Sequence, residues 1–213
     1  MAVERPATPG PEPDPSGATE ESDNPAVVSQ DMAGASRARR GRRQGLVVVN
    51  TGNGKGKTTS ALGVLFRAWG RGLRVVMLQF IKQTTSNVGE NRAARKLGIE
   101  MIPLGGGFTW LSKDIEKDKA LARRAWELCK EKLGSPDYDI VILDEITYPI
   151  TYGWIPVAEV IQALKQRPPH MHVVLTGRNA DEALIEYADL VTEMREVKHP
   201  YQKGVKAQPG LDF

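Results

Sequence analysis

Thr51-Gly52-Asn53-Gly54-Lys55-Gly56-Lys57-Thr58-Thr59 lies between an apolar run, Leu46-Val47-Val48-Val49, and a helix-patterned run from Ser60 to Trp69. Strand, glycine-rich loop and helix in that order make the context in which a phosphate-binding loop is credible. Closely spaced glycines let consecutive backbone N–H groups turn inward around phosphate oxygens, and the following helix adds its positive end. On this reading Gly52, Asn53, Gly54, Lys55, Gly56, Lys57, Thr58 and Thr59 surround a triphosphate, with Lys57 as a mobile charge and Thr58 as a magnesium ligand. The spacing is a variant of G-x-x-x-x-G-K-T, because Thr51 stands where the first glycine belongs and extra glycines stand at Gly52 and Gly54. The plain alternative is a glycine-rich turn with no ligand, which the agreement of motif and context disfavours.

The rest of the chain supplies a sheet for that loop. Strands are expected at Leu46–Asn50, Arg74–Phe80, Ile99–Leu104, Ile140–Leu143, His172–Leu175 and Leu190–Thr192, several of them continuous apolar runs suited to a sheet covered on both faces. Helical segments separate them. The run from Ala61 to Trp69 is apolar on most sides, so it should pack centrally until Gly70 stops it. Asp114–Leu133 places Leu121, Ala125, Leu128 and Cys129 on one stripe, and Pro156 should occupy the first position of a helix carrying Val157, Val160, Ile161 and Leu164. This alternation predicts a three-layer α/β fold with a mostly parallel, doubly wound sheet of the P-loop NTPase (RecA-like) type, its ligands gathered beyond the carboxyl ends of the strands.

Composition narrows the class. The chain has 213 residues, 40% of them hydrophobic, and a formal net charge of +3, which suits one α/β domain and gives no overall bias toward nucleic acid. The single cysteine, Cys129, forms no intramolecular disulfide and reads as core. With no membrane-length apolar run and no secretory signal pattern, the expected place is the cytoplasm. Residues 1–27 are acidic and proline-rich and read as a disordered tail. Residues 28–44 form a basic arm with Arg37, Arg39, Arg40, Arg42 and Arg43. That arm is a solvated segment, a polyanion-binding segment or a cover for the site; the absence of interleaved aromatics makes nucleic acid the weaker choice. Residues 45–213 form the domain that carries the glycine-rich loop.

Ile140-Val141-Ile142-Leu143 ends in Asp144-Glu145, where a phosphate-loop protein brings carboxylates to its metal. Both are magnesium-site candidates, and spacing alone does not choose the direct ligand. Two further strand ends, Gln79-Phe80-Ile81-Lys82 and Thr176-Gly177-Arg178-Asn179, should face the same crevice, with Lys82 or Arg178 near phosphates. An Asn-Lys-x-Asp guanine-reading element is absent, which argues against a GTPase. Gly105-Gly106-Gly107-Phe108-Thr109-Trp110 sets two aromatics beyond a flexible backbone: either loop anchors or an apolar wall for a flat ligand. His170, His172 and His199 lack metal-site spacing.

Taken together, the Thr51–Thr59 loop, Gln79-Phe-Ile-Lys82, Gly107-Phe-Thr-Trp110, Leu143-Asp-Glu-Ile-Thr-Tyr148, Thr176-Gly-Arg178 and the tail Val197-Lys-His199 with Gly204-Val-Lys-Ala-Gln208 resemble the bacterial ATP:corrinoid adenosyltransferases of the phosphate-loop type. The resemblance spans Gly45 to Phe213 and excludes the proline-rich tail. It implies transfer of the 5′-deoxyadenosyl group of ATP to cobalt(I) of a reduced corrinoid, with release of triphosphate, in adenosylcobalamin biosynthesis or salvage. It further implies Mg2+ (or Mn2+) at Thr58, Asp144 and Glu145, ATP lying reversed along the loop with Arg178 beside it, and catalysis by Lys57, Thr58, Phe108, Trp110 and Glu145. Phe108 and Trp110 would bind the corrinoid and displace the lower axial ligand of cobalt(II). A flavoprotein or reduced flavin would supply the electron, and a homodimer is usual in similar proteins. The competing reading is a RecA-like ATPase or a nucleic-acid-associated module that uses the Arg37–Arg43 stretch.

Overall fold

The computed structural model describes residues 44–83, 88–105 and 115–212. The expectations for residues 1–43, including the tail and the Arg37–Arg43 stretch, and for Phe108 and Trp110 lie outside the described residues.

Six strands form one sheet: β1 (Val47–Thr51), β2 (Val75–Gln83), β3 (Glu100–Gly105), β4 (Ile140–Asp144), β5 (His172–Thr176) and β6 (Leu190–Glu193). Their order is β3-β2-β4-β5-β1-β6, and every pairing is parallel. The doubly wound expectation holds, and "mostly parallel" becomes wholly parallel. Between the strands run α1 (Lys57–Gly70), α2 (Gly89–Leu97), α3 (Ile115–Gly134), α4 (Thr147–Thr151), α5 (Val157–Gln166) and α6 (Glu182–Tyr187).

Strand periodicity splits the apolar runs between two cores. Val75, Met77, Ile140, Ile142 and Val174 meet Ala61, Leu65 and Ala68 of α1 and Ala94 of α2. The alternate residues Val76, Leu78, Val141, Leu143, Val173 and Leu175 meet α3, α5 and α6 through Trp126, Cys129, Val160, Leu164 and Leu184. Cys129 is core as expected, and burial pushes its thiol pKa up.

Three local expectations need correction. Helix α1 buries only the narrow stripe Lys57, Ala61, Leu65 and Ala68. Phe66 and Trp69 are 61% and 39% exposed and stack on each other with ring centroids 5.9 Å apart. Gly70 is still helical; the chain turns at Gly72, whose φ of 65° is open to glycine, while Leu73 N–H donates to the Ala68 carbonyl. Pro156 caps α5 one residue before its first turn, in extended backbone.

On α3 the buried stripe is Ala122, Ala125, Trp126, Cys129 and Leu133, with Leu121 and Leu128 at its margins. Trp126 is wholly buried, and its indole N–H donates to Glu159 of α5 at 2.7 Å. Arg123 donates to the same carboxylate at 2.9 Å. Trp126→Ala should therefore cost about 3–5 kcal/mol in urea unfolding of the nucleotide-free protein. A loss under about 1 kcal/mol would mean that this layer does not depend on Trp126.

Candidate active site

The ends of β1, β2, β4 and β5 converge on one corner, as the parallel topology requires. The loop after β1 turns at Gly52 (φ 92°) and Gly56 (φ 107°). A Cβ on Gly52 would lie 2.5 Å from the Met194 carbonyl oxygen, and one on Gly54 would lie 2.8 Å from Arg195 backbone. Both positions demand glycine, for φ or for close approach. Lys57 is buried and donates to the Gly52 and Gly54 carbonyls at 2.8 and 2.7 Å. Burial lowers its pKa; Glu145 opposes that shift, and Arg178 adds to it.

Asp144 ends β4 at 1% exposure. One of its oxygens accepts from Thr58 Oγ1 at 2.9 Å and from Thr176 Oγ1 at 2.7 Å. Burial raises its pKa, while the two hydroxyls and the Lys82 charge pull it back down. Thr176 also accepts from the Glu145 N–H at 2.9 Å, so a single hydroxyl orders both acids. Glu145 sits at φ 61°, a left-handed conformation uncommon for glutamate. Its Oε2 is buried with no hydrogen-bond partner among the described residues. Burial first, then the Asp144 charge, pushes its pKa up to about 7, against the pull of Lys57, Arg178 and Lys82. Gly177 permits this crowding: a Cβ there would lie 2.0 Å from Thr147 Oγ1 and 3.2 Å from Glu145 Oε2.

The predicted residues divide by depth. Lys57, Thr58, Asp144 and Glu145 come together. Asn53, Thr59 and Arg178 lie exposed at the rim, where Arg178 still acts on Lys57 and Glu145 through its charge. Lys55 points away from the acids and pairs with Asp212 of the C-terminal segment. Lys82 is held by Glu90 of α2. Sequence reasoning passed over Thr176 as the clamp on Asp144, although its strand end was singled out for Arg178. It also passed over Gly177, whose need for glycine arises from a residue distant in sequence.

The corner suits a hard divalent cation. Its donors are all oxygen (Thr58, Asp144 and the unpartnered Glu145 Oε2), the set that magnesium takes when substrate phosphates complete its coordination. Beside it, Phe80, Leu104, Leu121, Tyr148, Pro149 and Trp154 line an apolar recess between α3 and α4. Tyr148 joins the two regions: burial and the Glu145 charge both raise its phenol pKa.

Residues 43–213 match the family model for ATP:corrinoid adenosyltransferase BtuR/CobO/CobP. The chain belongs to this family. A corrinoid adenosyltransferase of Sinorhizobium sp is 46% identical over 173 residues, covering 80% of this chain and 81% of the relative. That of Escherichia coli K12 is 44% identical over 170 residues, 80% and 86% of the two chains. Corrinoid adenosyltransferase CobA of Salmonella typhimurium is 42% identical over 184 residues, 86% and 93%. Among solved structures, the flagellar accessory protein FlaH of Methanocaldococcus jannaschii is similar with a TM-score of 0.53 at 13% identity, covering 75% of this chain and 76% of that one. That likeness speaks for the fold alone. Membership makes the chain an enzyme with ATP and a corrinoid as substrates, and the ATPase or nucleic-acid reading is not favoured.

Because the folded protein keeps a proton on Glu145 that the unfolded chain loses between pH 4.5 and about 7, its stability falls as pH rises through that window. Glu145→Gln is uncharged throughout. Urea midpoints of the nucleotide-free variant should fall less across the window and exceed wild type above it, leaving only the slope that Asp144 contributes in the same direction. An unchanged profile would place the Glu145 titration elsewhere.

Proposed function

We propose that this enzyme uses its phosphate loop to hold a triphosphate as a leaving group while the corrinoid lies against the neighbouring apolar recess. The observation that carries this reading is a buried cation, Lys57, set against two desolvated carboxylates, Asp144 and Glu145, at the edge of an apolar wall. In the transfer, the cobalt(I) electron pair forms a bond to C5′ of ATP. The C5′–O bond breaks, and its electron pair leaves on the triphosphate. No phosphoryl group moves.

Negative charge therefore grows on the leaving oxygen. Lys57 and the backbone N–H groups from Gly52 to Thr59 stabilise it without reorganising, because Lys57 already lies within the loop. Arg178 adds a further positive charge from the rim. Thr58, Asp144 and Glu145 would hold magnesium or manganese, which supplies charge neutralisation on the triphosphate when bound. The recess would offer the corrinoid an apolar surface. Phe108 and Trp110 take the family role of displacing the lower axial ligand of cobalt(II), which eases reduction by a flavoprotein or free reduced flavin. A homodimer working in the cytoplasm completes the reading; among the described residues, no helix is long and apolar enough to cross a membrane.

Incubation with ATP, magnesium and chemically reduced cobalamin should give adenosylcobalamin and intact triphosphate, separated by anion-exchange chromatography. ADP and orthophosphate in place of triphosphate would overturn the reading. Lys57→Ala should lower turnover at least about 100-fold whatever the starting oxidation state of cobalt. Phe108→Ala should impair turnover from cobalt(II) while sparing assays supplied with cobalt(I); equal losses from both would remove its assigned role.

A further inference from the structure

Among the described residues, two buried amide oxygens have no hydrogen-bond partner: Oε1 of Gln79 and Oδ1 of Asn91. Gln79 is 0% exposed and Asn91 7%. Buried amides are almost always paired, so a cluster of unpaired ones calls for an explanation.

Their positions are fixed by register. Gln79 lies opposite Asp144 in the parallel β2–β4 pairing. Such partners share a sheet face, and this one carries Val75 and Met77 toward α1 and α2. Thr58 of α1 reaches Asp144 on the same face. On α2, Asn91 and Ala94 are the buried residues, three apart on one helical face, and Ala94 packs in the cluster that holds Met77. Helix α2 runs back from the carboxyl edge of the sheet. Asn91 thus stands one turn nearer that edge than Ala94, as Gln79 stands two residues nearer than Met77. The Lys82–Glu90 ion pair fastens the start of α2 to the end of β2. Gln79 also helps hold the Asp144 pKa down.

The unpaired set comprises two acceptors, Gln79 Oε1 and Asn91 Oδ1, while the Gln79 amide N–H side is turned to Asp144. Phosphate oxygens offer no hydrogens and leave both acceptors empty. A macrocycle is too large for a position this deeply buried. Water on a divalent cation fits: magnesium sheds its waters reluctantly, and each bound water presents polarised hydrogens outward.

We propose that Gln79 and Asn91 are positioning residues that accept hydrogen bonds from waters retained by the magnesium ion held at Thr58 and Asp144. This rests on the metal reading above. The amide oxygens fix the orientation of the hydrated ion, while Gln79 Nε2 faces the Asp144 carboxylate.

The test titrates Mn2+ into the protein saturated with ATP and follows free Mn2+ by electron paramagnetic resonance, for wild type, Gln79→Leu and Asn91→Leu. Each variant should bind Mn2+ about 10–100-fold more weakly. ATP affinity measured in chelator should stay within about twofold of wild type. Mn2+ affinity within about twofold of wild type in both variants would overturn the proposal. Parallel loss of ATP affinity in chelator would overturn it as well, by placing the amides on the nucleotide. If the wild-type protein with ATP binds no Mn2+, the metal reading itself falls; wild-type binding with unaffected variants removes only this inference. Should Gln79→Leu fail to fold, Asn91→Leu alone decides the outcome by the same limits.

Discussion

Holding two carboxylates out of water at the end of a parallel sheet is the constraint to which the site conforms. Desolvation disfavours charge on Asp144 and Glu145, and the Asp144 charge disfavours it further on Glu145. The fold answers with hydroxyls and fixed cations. Thr58 comes from the first turn of α1 and Thr176 from the end of β5, and both spend their protons on a single Asp144 oxygen. Lys57, Lys82 and Arg178 approach from three separate elements. Glu145 keeps a buried oxygen that has no donor among the described residues. A divalent cation held here, as proposed, would meet charge that the protein has only partly compensated.

Lys57 has the complementary problem. Its side chain is largely buried and donates to two carbonyls of its own loop. Those bonds keep the loop curled and its positive charge on the concave side. A triphosphate bound here would replace neutral acceptors with charged ones around that lysine, the preorganisation that the proposed leaving-group clamp requires. Lys55, by contrast, spends its charge on Asp212 at the rim. The two lysines of the loop therefore differ in kind, although the sequence sets them two apart with nothing to distinguish their roles beyond the motif.

Strands and core were legible because a sheet covered on both faces needs long apolar runs, and all six expected strands match observed ones to within a few residues. Helices α2 and α4 were harder. Gly89–Leu97 is polar except on one narrow face, and Thr147–Thr151 carries Pro149 inside a single turn. Neither has a local pattern strong enough to announce a helix; both form because β2 and β4 deliver the chain to a packed layer. In the site, Lys57, Thr58, Asp144 and Glu145 were readable since motif and strand end fix their places. Gly177 and Thr176 were not, because their importance comes from Thr147, Glu145 and Asp144, which only the β4–β5 pairing brings near. The exposure of Phe66 and Trp69 was equally hidden: composition shows that a helix is apolar, whereas the width of the groove above the sheet decides how much of it is buried.

Thr51, the departure from the usual loop spacing, has a structural cause. It is the last residue of β1, paired with Glu193 of β6, and its carbonyl accepts from Met194 N–H at 2.8 Å. Its hydroxyl accepts from Ala180 N–H at 3.2 Å, which ties the segment after β5 to the mouth of the loop. Glycine at this position would give up that anchor, and the strand conformation gives glycine no steric advantage. The left-handed turn falls one residue later, at Gly52, where a side chain would strike the Met194 carbonyl. That same carbonyl accepts from Gly54 N–H at 2.6 Å. Met194 thus grips the loop on both sides through its backbone, and the extra glycines are where the chain leaving β6 passes. The loop is shifted because its floor is the chain beyond an edge strand, so the glycine-rich loop and the segment after β6 form one structural unit.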